Sequence, residues 1–75
     1  MRYFFNVRDR RGLIRDEEGS ELRDMLAARH EAFLSARDFA LEDIKQGGPV
    51  RLRQIEITDR NGNVLGTMPV IDIVH

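Results

Sequence analysis

A chain of 75 residues without cysteine excludes a second domain, a disulfide framework and a thiolate zinc site. Charged residues make up 33% of it but nearly cancel, leaving a formal net charge of -1, so the total gives no support for long-range attraction to nucleic acid or anionic lipid. A domain this small buries only about 60% of its unfolded surface, and with His30 and His75 too far apart in sequence to suggest a metal site, self-association is the remaining source of extra stability.

The opening "RYFFNVR" has the aromatic and β-branched character of a strand. Alternation puts Tyr3, Phe5 and Val7 on one face and Arg2, Phe4, Asn6 and Arg8 on the other. "RDRRG" reads as a turn with Gly12 free to take a positive φ, and "LIR" as a short second strand closing a hairpin. "DEEGSEL" is a polar connection that does not continue the strand.

From about Asp24 to Gln46 the period changes to that of a helix. Asp24 or Ser20 is the candidate N-cap. Leu22, Met25, Leu26, Ala28, Ala32, Phe33, Ala36, Phe39, Ala40 and Ile44 form one broad apolar stripe. "QGGP" ends the helix, because glycine supplies a left-handed residue and Pro49 forbids continuation. "VRLRQIEIT" is a third strand whose apolar phase slips between Leu52 and Ile55, which calls for a bulge near Arg53–Gln54 or a late start. "DRNGN" is a hairpin turn with Gly62 at positive φ, and "VLGTM" is the fourth strand. Pro69 either ends its pairing or marks it as an edge, and "VIDIVH" follows as an apolar tail.

Residues 1–75 therefore read as a single α+β domain of two layers with the pattern ββαββ. The expected sheet is four-stranded and antiparallel, in the order 2-1-3-4, with one long helix on one face. Tyr3, Phe5 and Val7 then pack under the helix, and Phe4 lies at the centre of the opposite, open face. A second chain or the folded-back tail is the expected cover for that ring.

The order and spacing of "MRYFFNV", "RDEEGSEL", "AAR", "DRNGNVL" and "TMPV" resemble a family of small bacterial proteins known as a domain of unknown function. The resemblance spans nearly the whole chain. It implies a compact α+β domain and brings no activity, substrate or catalytic residue with it.

Asp16, Glu17 and Glu18 cluster in the connection, but the alternating ligand spacing of a calcium loop is missing, so they read as solvated charges near a helix N-terminus. Arg29 interrupts the apolar stripe, which predicts a structural ion pair with Asp16, Glu17 or Glu18. Leu34 and Leu41, seven residues apart, make a second helix seam with His30 and Arg37. Arg8, Arg10, Arg11, Arg51, Arg53 and Arg60 gather at strand ends and turns, and with Phe4 and Arg2 on the open face they resemble a thin platform for single-stranded nucleic acid. Gly47–Gly48 ends a helix instead of opening one, so the dipole has the wrong sign for a phosphate loop.

No nucleophile and base stand at a recognisable spacing, no cofactor is implied, and no apolar run approaches the ~20 residues of a membrane span. The start lacks the apolar core of a signal peptide, so the cytoplasm is the expected location. The expected function is a non-enzymatic interaction module. It would form a homodimer, or dock an unknown protein partner, through the open sheet face or the second helix seam. The alternative is a small nucleic-acid-binding regulator using the arginines and Phe4.

Overall fold

The computed structural model describes residues 1–71. Its elements are β1 (Arg2–Asp9), β2 (Gly12–Ile14), β3 (Ser20–Glu21), α1 (Met25–Lys45), β4 (Arg53–Thr58) and β5 (Val64–Val70). All strand pairs are antiparallel, in the order β2-β1-β4-β5, so the expected third and fourth strands are β4 and β5 and the main path is the one the sequence predicts. The addition is β3, two residues of the supposed connection that pair with Arg2 and Tyr3 along the same edge of β1 that β2 occupies further on.

Local chemistry sets the ends of the elements. The Asp24 side chain caps α1 by accepting the Ala27 N–H, and Gly47 follows the helix at a φ of 80°. The Asp59 carboxylate accepts the N–H groups of Asn61 and Asn63 and holds the β4–β5 turn, in which Gly62 has a φ of 85°. The phase slip before Ile55 is resolved by a late start: Leu52 remains outside β4 and is 79% exposed. The bulge lies at the other end of the strand, between Ile57 and Thr58, where the partner moves from Gly66 to Val64. Pro69 stays in register with Gln54 on the outermost strand, so it marks an edge and does not end the pairing.

Tyr3, Ile55, Ile57 and Val70 from the sheet meet Ala28, Ala32, Ala36 and Ala40 from the helix, with Phe5, Leu22, Met25, Phe39, Val50 and Met68 packed around them. The expected ten-residue stripe is thus narrower in fact. Leu26 is 77% exposed and Phe33 is 50% exposed. The cause is lateral placement: α1 lies over β4 and β5, at one side of the sheet, and not over β1. Methyl side chains let the helix sit low on that strand pair, while larger residues a quarter-turn away project past β5.

Candidate functional site

Three surfaces collect the residues that the sequence singles out. The first is the sheet face away from α1. Phe4 lies there, but its ring is half-buried by its own chain. A Cβ placed on Gly19 would stand 2.8 Å from Phe4 Cε2 and 2.9 Å from the Tyr3 carbonyl oxygen, and Gly19 has a φ of 71°. The connection therefore covers the ring that a second chain or the tail was expected to cover. Residues 72–75 of the tail lie outside the described residues.

Asp16 organises that cover. Its carboxylate accepts the Phe5 N–H at 3.2 Å and the Gly19 N–H at 3.1 Å, while its own N–H donates to Asn6 Oδ1 at 2.9 Å. It thus occupies the edge of β1 in the gap between β2 and β3. Arg2 assists by donating to the Glu18 carbonyl at 2.8 Å. Further along the same face, Glu56 is buried and takes a 2.6 Å hydrogen bond from Arg8 Nε. That bond holds the Glu56 carboxyl below the usual range and raises the Arg8 guanidinium. Buried Asn6 and Thr58 complete a polar surface.

Arg29 corrects an expectation. It is exposed, its guanidinium lies beside Gly66 of β5, and it takes no part in the ion pairs found among the described residues. Asp16 is engaged by backbone N–H groups, and Glu17 and Glu18 are exposed. With α1 displaced toward β5, Arg29 runs out over a glycine and reaches solvent without needing a counter-charge.

The second surface is the flank where α1 overlooks β5. A cleft of about 110 Å³ is lined by Phe33, Ala36, Arg37, Met68, Pro69 and Ile71. Leu26 extends the apolar strip along the helix. The Leu34–Leu41 seam is turned away from the sheet, with both leucines half-buried and His30 and Arg37 exposed.

The third surface lies at the far end of the sheet, where the sequence offers little warning. Asp43, near the C-terminus of α1, is buried. It accepts the Arg51 N–H at 2.9 Å, forms a short hydrogen bond with the buried Arg53 guanidinium, and has Arg51 Nε at 3.5 Å. The Arg51 N–H, followed by the two cationic guanidinium groups, holds the Asp43 carboxyl below its ordinary value against the opposing effect of burial. Arg53 also lies over the Phe39 ring, 4.7 Å from its centroid. Arg10 and Arg11, in the β1–β2 turn, stand across a cleft from Arg51. The available signal for Arg53 was strand parity with Ile55 and Ile57, and for Asp43 its place seven residues after Ala36.

The groups assembled on these surfaces are caps, ion pairs, exposed arginines and apolar side chains. Among the described residues no three metal-ligating side chains come together, and no helix is long and apolar enough to cross a membrane. The fold and these surfaces define a small two-layer α+β domain. The model of a family described as a domain of unknown function (DUF6894) matches residues 2–72, and the chain belongs to that family. No curated protein and no solved structure matches the chain.

Proposed function

We propose that the chain is a non-enzymatic interaction module that pairs with a second copy of itself along the β5 edge. The observation that carries this reading is the exposure of Leu26 and Phe33 on the flank of α1 that overlooks the outermost strand. Neighbouring strands stand about 4.8 Å apart. A helix seated above the β4–β5 line lies about half that distance inside β5. Joining two β5 edges across a two-fold axis then brings the two helix axes to about 10 Å, the upper end of ordinary helix packing. Leu26 and Phe33 are two turns apart and would form the seam between antiparallel helices.

The edges of the sheet support a closed pair. The other edge is shared between β2 and β3 with Asp16 between them, so β5 is the continuous one. Pro69 withholds a donor there and the bulge between Ile57 and Thr58 shortens the regular stretch, so the pairing rests more on the apolar helix seam than on edge hydrogen bonds. The open sheet face has less need of a partner, since Phe4 is covered by Gly19 and the rest is polar. The alternative of a small nucleic-acid-binding regulator has weaker support in its platform form, because Arg10, Arg11 and Arg51 lie toward the other end of the sheet from Phe4, and Arg60, which shares a cleft with Phe4, shares it also with Asp16, Glu17 and Asp59.

Phe33→Lys and Leu26→Lys should yield monomers by light scattering at concentrations where the unmodified chain is dimeric. Phe4→Lys, Leu34→Lys and Leu41→Lys should leave the dimer intact. A dimer that survives Phe33→Lys but not Leu34→Lys or Leu41→Lys would move the interface to the second helix seam.

A further inference from the structure

We infer that the cleft between the β1–β2 turn and the approach to β4 binds a phosphate oxyanion. Asp9, Arg10, Arg11, Arg51, Leu52 and Arg53 line a space of about 390 Å³. That volume lies within the range of small-ligand sites and would accept a phosphate together with part of its carrier.

The charges around this space do not balance. Four arginines face it, and among the described residues the nearby carboxylates are Asp9 and Asp43. Asp9 is occupied as the cap of the turn, accepting the Arg11 N–H at 2.8 Å and the Gly12 N–H at 3.2 Å. Asp43 is shared between two guanidinium groups, and its close contact is with Arg53. Among the described residues, two positive charges are therefore left over at this end of the domain.

The available donors belong to the right groups. The Arg51 side chain is 70% exposed, and its Nε is 3.5 Å from the carboxylate, so most of its planar fork is exposed. Arg10 and Arg11 are exposed on a tight hairpin whose backbone Asp9 fixes. Guanidinium forks match tetrahedral oxyanions by paired N–H donors, and the doubly charged phosphate monoester answers the local excess better than a single carboxylate. A phosphodiester backbone presents the same oxygens with one charge per unit, so a free phosphate group and a nucleic acid share this chemistry.

The test is an NMR titration that follows the arginine Nε–H signals. One arm adds inorganic phosphate, a second adds a short DNA duplex, and a third adds sodium chloride at matched ionic strength. Phosphate should move the signals of Arg10, Arg11 and Arg51 and leave Arg60, at the other end of β4, unmoved. The double variant Arg10→Glu, Arg11→Glu should lose the response while keeping the spectrum of a folded chain. Arg51→Gln, which keeps the backbone N–H to Asp43, provides a second variant that should lose it. If the duplex binds through the same residues, with the logarithm of its affinity falling against that of salt at a slope of about -3 for three arginines, the oxyanion is that of a nucleic acid. If phosphate alone binds, it is that of a small molecule. Signals that move equally with chloride, or that respond unchanged in both variants, would overturn the inference.

Discussion

Gly19→Ala tests whether the chain covers its own Phe4. Gly19 has a φ of 71°, in the left-handed region, where a Cβ costs about 1–2 kcal/mol. The added methyl would also stand 2.8 Å and 2.9 Å from two atoms of the Phe4 ring and 2.9 Å from the Tyr3 carbonyl oxygen. The ring can rotate away, but the carbonyl belongs to a strand held on both sides. Such overpacking typically adds about 1–3 kcal/mol, while the stiffer unfolded chain returns about 0.4–1 kcal/mol. The expected net loss is about 1–5 kcal/mol, a large share of the stability of a domain this small. Urea unfolding followed by circular dichroism gives the value directly. Phe4→Ala in the Gly19→Ala background should recover part of the loss, since it removes the ring but not the carbonyl. A loss under about 0.5 kcal/mol for Gly19→Ala, the range of an unconstrained surface site, would refute the packing of the connection on β1.

Other substitutions probe the remaining contacts. Ala32→Leu should destabilise the domain by about 1–3 kcal/mol in the same assay, because the methyl stripe of α1 meets the sheet with no spare volume. Arg29→Ala should change stability by less than about 0.5 kcal/mol, since the side chain is exposed beside Gly66 and forms none of the ion pairs described. The pH dependence has a defined sign. Asp43, Glu56 and Asp59 all have carboxyls lowered in the fold, so the stability they contribute is present above their ordinary values of 3.8 and 4.5 and is lost as pH falls through their lowered values. Unfolding free energy measured in urea should therefore begin to fall below about pH 4.5. Glu56→Gln should make that fall less steep.

Features set by near neighbours in the sequence were legible there. The Asp24 cap, the glycine and proline that stop α1 and the Asp59–Gly62 turn depend on a few adjacent residues, and each stands where it was expected. Short hairpins and one helix left few ways to order the strands, which is why the main path was recoverable. Distant placement was harder to read. Helical periodicity says which residues share a side, but not which strands the helix will cover, so Leu26 and Phe33 read as core although α1 lies where they overhang β5. The pairing expected for Arg29 failed for the same reason. Phe4 was rightly assigned to the face away from α1, but its cover depends on how close Gly19 approaches, which alternation does not encode. Arg53 was grouped with the arginines at strand ends and turns and Asp43 was not singled out, because charge argues for exposure. Their burial is tolerated only because each neutralises the other, aided by Arg51 and the Phe39 ring.

Sedimentation equilibrium of the unmodified chain over a range of concentrations tests the proposed β5-edge pairing most directly. A reversible shift from one chain mass to two as concentration rises, abolished by Phe33→Lys, is the expected result. A single chain mass at every concentration, or an equilibrium that Phe33→Lys leaves unchanged, would contradict it.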